Sequence, residues 1–87
     1  MNKANQVEEK IRTYMQDAFM VEFGQDVTSA TNLFKEGIMD SFGYIQLITF
    51  LESEFEITYS EDDMFTNVLV SLDSIVASVR LKLGNAV

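Results

Sequence analysis

The sequence contains no cysteine and no histidine among its 87 residues. Without cysteine the chain forms no disulfide and offers no thiolate nucleophile, and without histidine it lacks the usual general base at neutral pH. The usual side-chain ligands of zinc are missing for the same reason. A self-contained hydrolase or metalloenzyme is therefore disfavoured, and we predict that the chain is not an enzyme. If it takes part in chemistry, we expect a partner or a cofactor to supply the reactive group.

Long hydrophobic runs are also missing from the sequence. No run of about 18 apolar residues is present, so no membrane-spanning helix is predicted. The first six residues lack the apolar segment of a signal peptide. With 87 residues, of which 47% are hydrophobic, we expect one globular domain over residues 1–87, with its core at about residues 5–83. The expected protein is soluble, cytoplasmic and monomeric, with no membrane insertion.

Basic residues are absent from the middle of the chain, between Lys35 and Arg80. The formal net charge is −8, and nine acidic residues lie in this same stretch. They are Glu36, Asp40, Glu52, Glu54, Glu56, Glu61, Asp62, Asp63 and Asp73. Such a charge disfavours nucleic acid and anionic membrane and favours partners with basic protein surfaces. The alternative is that the acids only keep a small domain soluble. The acids near residue 61 lack the spacing of a calcium loop, so no metal site is predicted.

Hydrophobic periodicity predicts an all-α fold, a small bundle of three main helices plus a short third helix. The predicted helices cover about residues 5–22, 41–55, 61–68 and 71–84. Between the first two lies a long connection that is rich in turn-forming residues. Leu33, Phe34 and Ile38 are expected to pin this connection onto the helices.

The second predicted helix carries two apolar stripes. The expected core stripe has spacings of three and four and consists of Tyr44, Leu47, Ile48, Leu51 and Phe55. A second stripe consists of Phe42, Ile45 and Thr49. It either stays exposed as a docking surface or is buried because the bundle surrounds the helix. Tyr44 and Phe50 either pack in the core or line a cleft for a bound chain.

Ser41 follows Asp40 at the start of this second helix. A serine before an apolar helical run either caps the helix or presents its hydroxyl to another enzyme as a point of attachment. It is not a credible catalytic serine, because the chain has no histidine to act as its base. The helix N-terminus favours a phosphodiester at this position, and Asp40 could recruit a basic or metal-containing active site.

Residues 33–42, Leu-Phe-Lys-Glu-Gly-Ile-Met-Asp-Ser-Phe, resemble the attachment segment of the acyl carrier protein family. The likeness continues in register to about residue 76, and an amphipathic first helix and the chain length also fit the family. The residues that carry it further along the chain are Leu47, Leu51, Glu52, Phe55, Ile57, Glu61, Asp62, Asp63, Met64, Ser71, Leu72 and Ile75.

The resemblance implies that Ser41 carries 4'-phosphopantetheine, transferred from coenzyme A by a phosphopantetheinyl transferase. Acyl or aminoacyl groups are then carried as thioesters on the thiol of this arm, which fits a chain without cysteine. The second helix is implied to be the main docking helix. The implied partner-binding residues are Asp40, Phe42, Ile45, Thr49 and Met64. Expected partners are the transferase and the enzymes that activate or transfer acyl groups, with basic docking surfaces.

Two positions depart from the pattern of fatty-acid carriers, which usually have acids two and five residues after the serine. Here these positions are Gly43 and Gln46, which is more similar to D-alanyl carriers and other specialised carriers. We therefore expect a specialised lipid or secondary-metabolite pathway. The competing hypothesis is a non-enzymatic acidic adaptor that binds basic proteins and uses Ser41 only as a helix cap. A third hypothesis is a degenerate carrier that is never modified.

Overall fold

The computed structural model describes residues 3–66 and 68–85, with side chains from residue 6 to residue 84 within these ranges. The described residues form four helices: α1 (Lys3–Phe19), α2 (Ser41–Phe55), α3 (Glu61–Phe65) and α4 (Leu72–Asn85). The prediction of an all-α bundle with a short third helix and a long first connection is confirmed. None of the described helices has both the length and the apolar character needed to cross a lipid bilayer.

The core lies between α1, α2 and α4, with α4 packed against both other long helices. Its members come from one face of each long helix and from the connecting segments. They are Val7, Ile11, Met15, Leu33, Met39, Tyr44, Leu47, Ile48, Leu51, Ile57, Tyr59, Leu72, Ile75, Val76 and Val79. Removing one such side chain from water stabilises the fold by about 2 kcal/mol before entropy is counted. The core stripe predicted for α2 is thus confirmed, except that Phe55 is only partly buried.

Helix α1 ends at Phe19 instead of about residue 22. The chain leaves the helix at Met20, whose φ of 55° is in the left-handed region that ends a right-handed helix. The Gln16 side chain then accepts a hydrogen bond from the backbone N–H of Phe23 at 3.2 Å. This side-chain acceptor stabilises the turn after the helix. Apolar periodicity by itself does not predict such a turn.

The bounds of α1 and α4 also differ from prediction at their outer ends. Residue Lys3 is already helical, whereas the predicted start was about residue 5. Gly84 does not end α4, which continues to Asn85. A glycine ends a helix when it adopts a positive φ, and Gly84 does not have one.

The connection over residues 20–40 is pinned to the core as expected. Leu33 is fully buried, and Phe34 and Ile38 pack partly buried against the core. The backbone N–H of Leu33 donates to the carbonyl of Val70 at 2.8 Å, which ties the connection to the segment before α4. The chain therefore reaches the start of α2 from a fixed position.

Helix α3 begins with a capping box and ends at Phe65 instead of about residue 68. The Ser60 hydroxyl accepts from the Asp63 N–H at 3.0 Å, and the Asp63 carboxylate accepts from the Ser60 N–H at 3.1 Å. At the other end, Asp62 accepts from both the N–H and the hydroxyl of Thr66. These bonds satisfy backbone groups at both ends of a single helical turn.

No residue of α3 is fully buried, and polar side chains from other elements help the partly buried Met64 to hold it in place. The Tyr44 hydroxyl of α2 donates to the carbonyl of Met64 at 3.0 Å and accepts from the N–H of Leu69 at 3.2 Å. From α4, the Lys82 amine lies 3.1 Å from the Asp63 carboxylate. The attachment of α3 thus depends on one buried hydroxyl, one partly exposed ion pair and the partial burial of Met64 against the core.

Replacing Tyr44 by Phe is expected to lower the free energy of unfolding by about 1–3 kcal/mol, because one hydroxyl serves two backbone groups near α3. The control is Tyr14→Phe, since the Tyr14 hydroxyl forms no hydrogen bond with any described residue. Urea unfolding gives the stabilities, and amide hydrogen exchange should accelerate around α3 in Tyr44→Phe alone. Equal losses in both variants would contradict this role of Tyr44.

The pKa of Asp63 lies below its ordinary value because the carboxylate accepts the Ser60 N–H and pairs with Lys82. A depressed carboxyl pKa stabilises the fold above the unfolded value of about 3.9, and this contribution is lost as the pH falls through the folded value. Asp63→Asn should therefore lower the melting temperature at about pH 7 and differ little from wild type near pH 2–3. Circular dichroism melts test this, and an equal difference at both pH values would contradict it.

Candidate functional site

Asp40, not Ser41, is the N-cap of α2. Asp40 has an extended backbone, and its carboxylate accepts a hydrogen bond from the Gly43 N–H at 2.8 Å. Its own carbonyl accepts from the Tyr44 N–H at 2.9 Å. The idea that Ser41 caps the helix is therefore wrong, because the Asp40 carboxylate, one residue earlier, already accepts a first-turn N–H group. Ser41 is the first residue of the helix itself.

Ser41 is exposed, and its hydroxyl forms no hydrogen bond with any other described residue. The backbone N–H groups of Ser41 and Phe42 likewise find no acceptor in the described part of the chain. Free N–H groups at the first turn, together with the helix dipole, favour a negatively charged group at this end of α2. An exposed hydroxyl beside such a site suits the attachment of a phosphate ester.

The second apolar stripe of α2 is exposed rather than buried. Phe42 is 70% exposed and Ile45 46% exposed, and Thr49 is exposed as well. The Thr49 hydroxyl donates to the carbonyl of Ile45 at 3.0 Å, so it is satisfied within the helix. Of the two alternatives for this stripe, burial by a surrounding bundle is excluded. The exposed stripe continues from Ser41 along α2.

The remaining residues proposed for partner binding lie in different surroundings. Asp40 is exposed beside Ser41, although one of its carboxylate oxygens is engaged as the helix cap. Met64 lies on α3 and packs partly buried against the core, and its carbonyl is held by Tyr44. Met64 is thus less accessible than Phe42, and its side chain serves the packing of α3 at the same time.

The ring of Phe19, the last residue of α1, packs against Gly43 in the first turn of α2. A Cβ atom at Gly43 would lie 2.9 Å from Cε1 of Phe19 and 3.3 Å from the Asp40 carboxylate. A Cβ atom this close would require the Phe19 ring, the end of a partly buried side chain, to shift. Local sequence patterns do not predict this contact, because Phe19 and Gly43 are far apart in sequence.

The two helices also meet further along α2, where Phe50 stacks on Tyr14. The ring centroids lie 4.1 Å apart with an angle of 10° between the planes, and Phe55 meets Phe50 edge-on at 6.5 Å. Lys10 of α1 bridges to Glu54 of α2 at 3.2 Å beside these rings. Tyr44, by contrast, lies in the core. Phe50 therefore packs between α1 and α2 at an open groove. Sequence periodicity had left open whether Tyr44 and Phe50 pack in the core or line a cleft.

We expect Gly43→Ala to destabilise the protein, although alanine favours a helix interior over glycine by about 1 kcal/mol. The new methyl group must displace the Phe19 ring or shift α2, and such overpacking typically costs about 1–3 kcal/mol. In a Phe19→Ala background the ring is absent, so the same substitution should be neutral or stabilising. Urea unfolding of the four proteins in this double-mutant cycle measures the change of sign. Stabilisation of similar size in both backgrounds would show that Phe19 does not restrict Gly43.

Comparison with known proteins adds no relative from which a function can be transferred. The chain matches no protein-family model, and a search of curated proteins likewise found no match. What the site can do is therefore argued from the residues around Ser41.

Proposed function

We propose that the chain is a carrier protein that holds acyl or aminoacyl groups as thioesters on a 4'-phosphopantetheine arm attached to Ser41. The observation that supports this most is the free, exposed Ser41 hydroxyl on the first residue of α2, where Asp40 has taken over the role of cap. A serine that mattered only as a cap would be expected to bond to the helix backbone.

The attachment step needs a hydroxyl that another enzyme can reach. The Ser41 oxygen forms a bond to the phosphorus of coenzyme A nearest the pantetheine, the phosphoanhydride bond breaks, and adenosine 3',5'-bisphosphate leaves. The hydroxyl proton passes to a base of the transferase, since this chain has no histidine. The N–H groups of Ser41 and Phe42 then lie beside the new phosphodiester, at the positive end of the α2 dipole. The attached arm supplies a terminal thiol on which acyl groups form thioesters.

The surroundings of Ser41 hold its position while leaving it accessible. The opposite face of α2 is anchored in the core by Tyr44, Leu47 and Leu51. The stripe beyond Ser41 stays exposed for the enzymes that load and unload the arm. The acidic residues after residue 51 favour partners with basic surfaces at that end of the helix. Gly43 and Gln46 lead us to place the carrier in a specialised lipid or secondary-metabolite pathway.

The competing hypothesis of an acidic adaptor loses one of its two parts. It needs Ser41 as the helix cap, and the structure assigns the cap to Asp40. The other part, binding of basic proteins by an unmodified chain, is separated from the carrier function by the Ser41→Ala variant described below. In an adaptor, removal of the Ser41 hydroxyl leaves every function intact, whereas in a carrier it abolishes loading.

The test is incubation of the protein with coenzyme A, magnesium and a broad-specificity phosphopantetheinyl transferase, followed by intact mass measurement. Wild type should gain one phosphopantetheine, and Ser41→Ala should gain none. Ser53→Ala, another exposed serine on α2, is the matched control and should be modified like wild type.

Stability measurements separate the two roles at the start of α2. Asp40→Ala should lower the free energy of unfolding by about 1 kcal/mol through loss of the cap. Ser41→Ala should change it little, because the hydroxyl makes no bond within the described chain. No mass gain in wild type, or an undiminished gain in Ser41→Ala, would refute the carrier hypothesis.

A further inference from the structure

An open groove of about 790 Å³ lies between α1 and α2. Six of the residues that line it come from the first four turns of α1 and the last two turns of α2. They are Glu9, Lys10, Tyr14, Asp17, Phe50 and Glu54. A concave site of this volume is large enough to take several side chains of a partner. We call it the α1–α2 groove.

The α1–α2 groove lies on the side of α2 opposite to Ser41. Phe50 follows Ser41 by nine residues, and nine residues make about two and a half turns of an α-helix. The same geometry separates the two residues by roughly 14 Å along the helix axis. A segment that fills the groove therefore leaves the Ser41 hydroxyl accessible.

Two stacked aromatic rings form the apolar part of the groove. The centroids of Tyr14 and Phe50 lie 4.1 Å apart, and neither side chain is fully buried. The Tyr14 hydroxyl forms no hydrogen bond with any described residue. Burial raises the pKa of Tyr14, so the phenol stays neutral at physiological pH. A neutral ring pair that is partly open to water is a surface on which a flat cationic group stacks.

Two carboxylates of the groove have no cationic partner in the described part of the chain. The Lys10 amine pairs with Glu54 at 3.2 Å, which leaves Glu9 and Asp17 without an ion pair. Both are exposed, and their spacing of eight residues corresponds to about 12 Å along α1. Three acids and one base thus give this lining a net charge of −2.

Arginine is the side chain whose chemistry matches both the rings and the carboxylates. A guanidinium group stacks flat on an aromatic ring and donates paired hydrogen bonds to a carboxylate. The ammonium group of lysine supplies the charge without the flat surface. An apolar side chain would cover the rings but also remove the two carboxylates from water without pairing them. An anionic group is repelled by the same carboxylates.

We propose that the α1–α2 groove is a docking site for a basic segment of a partner protein. An arginine of this segment stacks on the rings of Tyr14 and Phe50, and its basic groups pair with Glu9 and Asp17. The inference goes beyond the proposed function and holds whether or not Ser41 is modified. A partner bound here can stay in place while other enzymes reach the opposite side of α2.

The experiment titrates the blocked peptide Arg-Ala-Ala-Ala-Arg into isotope-labelled protein and follows the backbone amide shifts. The two arginines of the extended peptide are about 13 Å apart, close to the separation of Glu9 and Asp17. We expect shifts over residues 9–17 and 50–54 and none at Ser41. The peptide Lys-Ala-Ala-Ala-Lys has the same charge and should bind about fivefold more weakly or worse, because its ammonium groups do not stack.

Variants of the groove separate the contribution of the charges from that of the rings. Glu9→Gln combined with Asp17→Asn should weaken the binding of the arginine peptide by about fivefold or more. The matched control, Glu36→Gln combined with Glu61→Gln, removes two exposed acids elsewhere and should change it by less than about twofold. Phe50→Leu should abolish the preference for arginine over lysine. Thermal melts verify that all variants fold.

Three outcomes would overturn the proposed docking site. They are equal affinity for the two peptides, an equal effect of the two double variants, and shifts centred on the exposed stripe of Phe42, Ile45 and Thr49. Absence of any shift with the arginine peptide would overturn it as well. Attachment of phosphopantetheine to Ser41 is measured separately by the mass gain, so failure of one proposal leaves the other standing.

Discussion

The hydrogen bond from the Gly43 N–H to the Asp40 carboxylate determines where α2 begins, and the chemistry of the site depends on that position. Because the cap lies one residue before the serine, Ser41 is the first helical residue and its hydroxyl is not needed as a hydrogen-bond acceptor for the helix backbone. The backbone N–H groups of Ser41 and Phe42 find no acceptor among the described residues and lie at the positive end of the helix dipole. An exposed hydroxyl and a region that favours negative charge are thus consequences of one local interaction.

Helix α2 serves two purposes because its two faces differ. The face with Tyr44, Leu47 and Leu51 is buried and gives the helix a fixed orientation. The opposite face, from Phe42 to Thr49, is exposed without any charged side chain, in a chain that is otherwise strongly acidic. The acids that follow on α2 are partly engaged within the fold, since Glu52 accepts the Tyr59 N–H and Glu54 pairs with Lys10. The uncharged region is therefore concentrated next to Ser41.

Helix α3 is attached by a different kind of interaction from the other helices. It buries no residue fully, and its position depends on the Tyr44 hydroxyl, on the pair between Asp63 and Lys82 and on the partly buried Met64. Lys82 also lies 4.7 Å from the centre of the Tyr59 ring, and burial raises the pKa of Tyr59. Elements held by a few polar contacts open at lower free energy than elements packed in a core. We therefore expect α3 to open at a lower free energy than the three long helices.

The sequence by itself determined the helical class, the bounds of α2, its buried stripe and the position of Ser41 at the helix start, because these follow from local periodicity and cap preference. It did not determine which of two adjacent residues caps the helix, since Asp40 and Ser41 both suit that position. That choice depends on the position from which the connection, fixed by the bond of the Leu33 N–H to the Val70 carbonyl, enters α2. The contact of Phe19 with Gly43 and the exposure of Phe42 were decided only by the tertiary structure. The contact requires two segments that are distant in sequence to meet, and the exposure depends on which elements pack around α2. No local sequence pattern encodes either.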